Sequence, residues 1–362
     1  MSNLFPNLPD EVIECTFPIF QYNSVPGGGQ FITNEPNGNI IPDFCGMNLA
    51  EGTKEKHPRI VFMGTPEFAV ASLDALVQAG HQVVAVVTAP DKPAGRGMKL
   101  QQSAVKKYAV EKGIPVLQPE KLKSPTFLEA LGTFKADLQV VVAFRMLPQV
   151  VWNMPPMGTI NVHGSLLPKY RGAAPINWAI INGETETGVT TFKLKHEIDT
   201  GDVLLQSSMQ IGPNETAGEV HDRMKVLGAN LLVSTVELLA KGLARPLPQP
   251  GREEALTHAP KIFTDTCRID PQKTVLEVHN LVRGLSPFPG AFTFLDGKML
   301  KVYKAQPAAN GPVNLEPGTI YLDGKTQLML CCKNGWLDLL EIQLEGKKRM
   351  KAEDFLRGYR PS

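Results

Sequence analysis

From residue 59 onward, short apolar runs rich in β-branched residues alternate with stretches whose apolar residues recur at helical spacing, and few folds accept that rhythm. Ile60-Val61-Phe62-Met63 is one such run. It stops at Gly64-Thr65-Pro66, after which Phe68, Ala71, Leu73, Leu76 and Val77 follow a helical period. Further strands are predicted over 83–88, 116–117, 138–143, 159–163 and 189–194, with helices over 104–112 and 216–239. These strand runs are apolar along their length, as in strands covered on both faces. Strands alternating with helices imply an α/β domain over 58–245 built on a doubly wound, mostly parallel sheet.

Arg245-Pro246-Leu247-Pro248-Gln249-Pro250-Gly251 then marks a proline-rich connection, read as a linker over 246–256. Beyond it, over 257–362, one helix (273–283) precedes short strand candidates at 291–295, 299–305, 318–322, 327–332 and 336–343. A small, OB-like β-barrel is the expected arrangement. Residues 1–57 are rich in Asn, Pro and Gly and hold no sustained period, so they read as a poorly ordered lead. The lead is expected to be a tail or the product of an early start, Met47 being a second possible first residue.

The chain has 362 residues, 43% of them hydrophobic, enough for two cored domains. Its formal net charge is +1, but the lead holds two basic and seven acidic residues, so removing it leaves +6 for 58–362. That mildly basic body is compatible with a polyanionic partner. Cys15, Cys45, Cys267, Cys331 and Cys332 show neither C-x-x-C spacing nor a secreted framework, which suggests a reduced, cytoplasmic chain. No apolar run of membrane-spanning length and no secretory signal pattern is present, so no membrane partner is expected, and the protein reads as a monomer.

The strongest chemical signal lies in Asn161-Val162-His163-Gly164-Ser165-Leu166-Leu167-Pro168-Lys169-Tyr170-Arg171-Gly172. On a strand, residues i and i+2 share a face, so Asn161 and His163 would present an amide and an imidazole side by side. Gly164 lets the chain turn at the strand's carboxyl end, where open α/β sheets bind ligands. An amide N–H and a protonated ring N–H can both donate to an oxygen that becomes negative during acyl transfer. One Asn and one His alone are more often satisfied structural groups. Asp199-Thr200-Gly201-Asp202, in a turn some forty residues on, shifts that balance, because a carboxylate there would orient His163 and favour its protonated form.

Asn161-x-His163-Gly-Ser-Leu-Leu-Pro168 followed by Asp199-Thr-Gly-Asp202 resembles the active-site signature of folate-dependent formyltransferases. Gly64-Thr65-Pro66-Glu67-Phe68, 90–97 (Pro-Asp-Lys-Pro-Ala-Gly-Arg-Gly) and Arg171-Gly172-Ala173-Ala174-Pro175-Ile176 are similar to the members that formylate methionyl-tRNA. The resemblance runs from about Arg59 to Arg357. It implies a Rossmann-like formyltransferase domain with an Asn161-His163-Asp199 triad, 10-formyltetrahydrofolate as donor cosubstrate, and initiator methionyl-tRNA as acceptor. Asn161 and protonated His163 would steady the oxyanion, while Asp199 would orient His163 and help remove the amine's proton through a water. Folate contacts carry over to Ser165, Leu166, Leu167 and Pro168, and to Arg145, Met146 and Leu147 in a loop one residue shorter than the family's pattern. Glu197 stands where a glycine is common, so the turn cannot rely there on glycine's tolerance of positive φ.

The same resemblance puts Lys92, Arg96 and Lys99 against the acceptor end of the tRNA, with Lys106 and Lys107 nearby. Lys298, Lys301, Lys304, Lys347, Lys348, Arg349 and Lys351 suit phosphate contacts from the carboxyl-terminal domain. Three rival readings stay open. Another folate-dependent formyltransferase would act on glycinamide ribonucleotide or a nucleotide-linked amino sugar, since the triad does not name the acceptor. A nicotinamide oxidoreductase would need the G-x-G-x-x-G spacing that Met63-Gly64-Thr65-Pro66-Glu67 lacks. A non-catalytic RNA-binding protein would not depend on Asn161 or His163. No metal is expected, because the seven histidines show no H-x-x-x-H or H-E-x-x-H spacing. His221 and His279, in helical segments, read as surface or capping residues, and His196 as an exposed strand-end residue.

Overall fold

The computed structural model describes residues 57–94, 99–249 and 257–359. Apart from His57, the lead lies outside the described residues, as do Arg96, the Lys99 side chain and positions 250–256 of the proline-rich connection. The amino-terminal sheet opens with β1 (Ile60–Gly64), α1 (Glu67–Gln78) and β2 (Val83–Val87). A hairpin of β3 (Lys92–Ala94) and β4 (Lys99–Gln101) leads into α2 (Ala104–Glu111), β5 (Val116–Leu117), α3 (Pro125–Thr133) and β6 (Leu138–Val142). There follow α4 (Gln149–Trp152), β7 (Thr159–His163), β8 (Arg171–Gly172), α5 (Pro175–Ile181), β9 (Glu186–Lys193), β10 (Val203–Gln210) and α6 (Ala217–Ala240).

Seven of these strands form one sheet in the order β10-β9-β7-β6-β1-β2-β5. The run from β7 to β5 is parallel, and β9 and β10 add an antiparallel edge. Because strand side chains alternate faces, Ile60 and Phe62 enter one core with α1, α2 and α6, while Val61 and Met63 enter the other with α3 and α4. Both faces are therefore covered, which is why the strand runs carry no polar alternation. Helix α6 begins at a capping box: Thr216 N donates to Glu219 Oε2 at 2.8 Å, and Glu219 N returns a bond to Thr216 Oγ1 at 3.3 Å.

The order of the sheet reverses between β1 and β6. The chain runs outward from β1 through β2 to β5, then comes back to lay β6 on the other side of β1. In open α/β sheets such a switch leaves a crevice at the carboxyl ends of the strands.

The remaining described chain holds β11 (His258–Ala259), α7 (Val275–Gly284), β12 (Ala291–Leu295), β13 (Lys298–Ala308), β14 (Ile320–Leu322), β15 (Leu328–Cys332), β16 (Gly335–Leu344), β17 (Met350–Lys351) and α8 (Ala352–Gly358). Its antiparallel sheet, β12-β13-β16-β15-β14 with β17 on β16, curls into a half-barrel. Asp296 and Gly297 join β12 to β13 with φ of 46° and 73°, the pair of left-handed residues that a two-residue hairpin demands. Val278 and Val282 of α7, Leu300, Val302, Leu330 and Leu339 of the sheet, and Phe355 of α8 form a separate core. Cys267, Cys331 and Cys332 are buried free thiols, and burial together with the neighbouring Cys331 pushes Cys332 up to about 12. Among the described residues, no helix is long and apolar enough to cross a membrane.

The half-barrel is tied to the first sheet by a buried cation. Arg283 of α7 is 6% exposed; its Nε donates to Asn280 Oδ1 at 2.8 Å, and its Nη1 donates to the carbonyls of Gly212 (3.3 Å) and Glu215 (3.2 Å) ahead of α6. Burial holds this guanidinium below its usual range, partly offset by Glu215. Arg283→Ala removes the donor of the buried Asn280 Oδ1 and of the half-buried Glu215 carbonyl, while the Gly212 carbonyl keeps the Glu215 N–H at 3.1 Å, and we expect it to cost about 3 kcal/mol in denaturant unfolding. A loss under about 1 kcal/mol would show that those acceptors find other partners.

Candidate active site

A cavity of about 730 Å³ opens at the carboxyl ends of β1, β6 and β7, at the switch in strand order. Strand β7 sits between β6 and β9, pairing Asn161 with Val141 on one side and Phe192 on the other. Asn161 and His163 lie two residues apart on this strand, and both line the cavity. The Asn161 amide has no hydrogen-bond partner among the described residues, so its two N–H donors remain available to a ligand.

His163 is buried, and its Nε2 lies 2.9 Å from the carbonyl oxygen of Tyr170. A carbonyl can only accept, so Nε2 carries the proton and the neutral ring presents a lone pair at Nδ1. That nitrogen faces Asp199 Oδ2 at 3.8 Å, beyond hydrogen-bond length but within ion-pair reach. The sequence reading gave Asp199 the task of orienting the ring. The structure gives most of it to the Tyr170 carbonyl, helped by the edge of Phe192 with ring centroids 6.4 Å apart.

Asp199 is held in turn by the backbone of β8, whose Gly172 N–H donates to Oδ2 at 2.9 Å. Gly172 cannot be replaced cheaply: its φ is +125°, and a Cβ there would sit 2.5 Å from the Ala259 carbonyl oxygen of β11. Asp199 itself has φ 54°, a left-handed conformation that Asp tolerates better than most residues. The positive φ of this turn thus falls on the carboxylate, and not on Glu197 where the departure from the family's glycine raised the question. Gly201 completes the turn, since a Cβ there would meet the Lys193 carbonyl at 1.6 Å.

The loop after β6 also reaches the site. Arg145, Met146 and Leu147 line the cavity with Ala143 and Phe144. Arg145 stands over the Phe144 ring at 5.6 Å and donates to the carbonyls of Glu120, at 2.9 Å, and Pro119, so the shorter loop is braced. Ser165, Leu166, Leu167 and Pro168 are not on the cavity wall. They form a brace behind it: Thr190 Oγ1 donates to the Ser165 carbonyl at 2.6 Å and accepts from Leu167 N at 3.1 Å, and Gln206 Nε2 donates to the Leu167 carbonyl at 2.8 Å.

Lys92 is exposed on β3, Lys99 lies on β4, and Arg96 is outside the described residues. Lys106 is committed to Asp91 at 2.6 Å, with Gln118 Nε2 donating to the same carboxylate at 2.8 Å, which secures the hairpin's base. On the half-barrel, Arg349 forms a two-bond pair with Glu341 (2.7 Å each) over the Tyr303 ring, whereas Lys298, Lys304, Lys347, Lys348 and Lys351 are exposed.

Several cavity-lining residues had no site role in the sequence reading, although Pro66 and Phe68 lie in the quoted 64–68 motif. Pro66, Phe68 and Trp152 line the cavity, and so does His221, whose ring lies 5.1 Å from that of Phe68, beyond the surface role expected of it. His279 is buried at 3% exposure, and burial lowers its pKa, so it is not a surface residue. His196 is exposed as expected and also borders the cavity. The motif 171–176 pointed to the right segment, but not to the backbone groups of Tyr170 and Gly172 that it supplies. Among the described residues, no cluster of three or more His, Cys, Asp or Glu is arranged to hold a metal ion.

Residues 58–236 match the family described as formyl transferase, and 261–360 match the formyl transferase carboxyl-terminal domain. The chain is 54% identical to the methionyl-tRNA formyltransferase of Parabacteroides distasonis, over 85% of this chain and 97% of that one. It is 50% identical to that of Bacteroides fragilis, over 84% and 96%. The fold is shared with HypX from Aquifex aeolicus, solved in complex with tetrahydrofolic acid, at a TM-score of 0.58 and 19% identity; the match covers 85% of this chain and 49% of HypX, about half its length. The chain belongs to the formyl transferase family, on the branch of the methionyl-tRNA formyltransferases.

Proposed function

We propose that the chain transfers the formyl group of 10-formyltetrahydrofolate to the α-amino group of methionine on initiator tRNA, giving N-formylmethionyl-tRNA and tetrahydrofolate for translation initiation. The observation that carries this reading is the meeting of an unpartnered amide (Asn161), an imidazole nitrogen (His163 Nδ1) and a carboxylate (Asp199 Oδ2) on one cavity wall. All three come from a single chain, so the site needs no second copy and a monomer suffices.

The neutral amine attacks the formyl carbon, a C–N bond forms, and the carbonyl π electrons move onto oxygen. Asn161 Nδ2–H and, when the ring is protonated, His163 Nδ1–H donate to that oxyanion. Asp199 receives the amine's proton through a water. Collapse of the oxyanion restores the carbonyl and breaks the bond to N10 of the folate, which takes that proton back from Asp199 through the water and leaves as tetrahydrofolate. The Tyr170 carbonyl keeps Nε2 in the donor role, so Nδ1 stays the nitrogen that faces the reaction. Phe144, Arg145, Met146 and Leu147 are the described groups best placed to seat the folate ring. Ser165 to Pro168 act on it only by fixing the turn after β7.

The exposed Lys92, with Arg96 and Lys99 on the same hairpin, takes the acceptor end of the tRNA, and the lysines of the half-barrel take its phosphates. We place the division of labour at 58–245 for catalysis and 257–362 for tRNA binding, joined by 246–256.

Asn161→Ala removes one oxyanion donor and is expected to lower kcat about 10²- to 10³-fold with little change in either KM. Transfer of labelled formyl groups to charged initiator tRNA measures this; an unchanged kcat, or faster transfer to a nucleotide-linked amino sugar than to the tRNA, sinks the reading. Arg96→Ala should raise KM for the tRNA far more than KM for the folate, and equal effects on both would remove the hairpin from tRNA contact. At subsaturating tRNA the rate should fall at least about tenfold between 50 and 200 mM salt. A rate indifferent to ionic strength would instead dismiss the half-barrel lysines as phosphate ligands.

A further inference from the structure

The connection that leaves the first sheet does not run free. Leu247 pairs with Val203 at the start of β10, exchanging two backbone hydrogen bonds of 2.8 Å. Two residues later the Gln249 side chain reaches the catalytic turn and uses its whole hydrogen-bonding capacity there. Its Nε2 donates to the carbonyls of Asp199 (2.9 Å) and Gly201 (2.8 Å), and its Oε1 accepts from Arg171 Nε (3.1 Å) and Nη2 (2.6 Å). Arg171 is joined by one peptide bond to Gly172, whose N–H holds Asp199 Oδ2. The contacts close a ring from the Asp199 carbonyl through Gln249, Arg171 and Gly172 back to the Asp199 carboxylate.

We propose that Gln249 is a positioning residue for the reaction: by clamping both ends of the Asp199 residue it fixes the carboxylate opposite His163. The need for a clamp follows from the backbone. Asp199 sits at φ 54°, where an L-residue is strained, and a turn of that kind keeps its shape only when its surroundings over-determine it. Gln249 touches neither substrate nor the reacting atoms and acts through Asp199 alone. The inference rests on the formyl transfer proposed above and on the role given there to Asp199.

The test compares wild type, Gln249→Ala, Asp199→Asn and the double variant as full chains, in formyl transfer to charged initiator tRNA. Gln249→Ala should lower kcat about tenfold while both KM values stay within twofold. In the Asp199→Asn background the same change should add less than a twofold loss, because the clamp then holds nothing catalytic. Gln249→Glu keeps the acceptors for Arg171 but loses both donors, and should lose kcat like Gln249→Ala, so the result does not depend on one variant folding. Gln249→Ala within twofold of wild type, or losses that multiply in the double variant, overturns the positioning role. A wild type inactive on charged tRNA, or an undiminished Asp199→Asn, overturns the proposed function itself.

Discussion

The hydrogen bond from Gly172 N–H to Asp199 Oδ2 is the contact on which the site's geometry depends. His163 comes from β7 and Asp199 from the turn between β9 and β10, and nothing in that sheet alone dictates where the carboxylate points. The segment 170–173 settles it from both sides: the Tyr170 carbonyl accepts from His163 Nε2, and the Gly172 amide donates to Asp199. That segment is itself held by chain beyond the proline-rich connection. Tyr170 N donates to the Thr257 carbonyl at 2.6 Å, Ala173 N to the Ala259 carbonyl at 2.8 Å, and β8 pairs in parallel with β11. The residues assigned to catalysis all precede the proline-rich connection, yet their relative placement is completed by backbone that follows it.

Such a site brings several local exceptions together. Asp199 adopts a left-handed backbone, Gly172 admits no side chain, and the Asn161 amide at the cavity wall has no partner among the described residues. The Thr190 hydroxyl, by contrast, is fully used: it donates to the Ser165 carbonyl and accepts from Leu167 N and Gln206 Nε2. An unpaired amide costs little where a ligand or solvent can reach it and much where neither can. The unspent donors of Asn161 are thus consistent with a group kept for a transient partner.

The sequence made the scaffold readable because its code is local. Apolar runs at β1, β2, β6 and β7 separated by helical periods are sufficient to call for a doubly wound sheet, and Asn161 and His163 share a face by strand geometry alone. The antiparallel edge strand β10 was missed: Gln206, Ser207 and Ser208 dilute its pattern, since an edge strand needs no continuous apolar run. What lay wholly beyond the sequence were contacts between backbone and distant side chains. Neither the pairing of His163 Nε2 with the Tyr170 carbonyl, which leaves Nδ1 toward Asp199, nor the grip of Gln249 on the Asp199 turn has any signature in residue type. The 245–251 segment announced itself as a spacer by its prolines, and only coordinates show that Leu247 and Gln249 are bound to the sheet. His221 misled for a related reason, because a helical period places it on a surface without saying that the surface faces a cavity.

A pinned connection changes how the two halves can cooperate in the proposed reaction. On the proposed reading, phosphate contacts on the half-barrel would, on a flexible tether, raise the local concentration of the acceptor without orienting it. Here α7 is bound through Arg283 to the turn before α6, and β11 is bound to β8, so the half-barrel and the triad share rigid attachments. Binding energy gained at remote phosphates can then be used to hold the methionyl amine at the formyl carbon, and that raises kcat as well as lowering KM. The same rigidity keeps the Asp199 turn in its strained form before any substrate arrives.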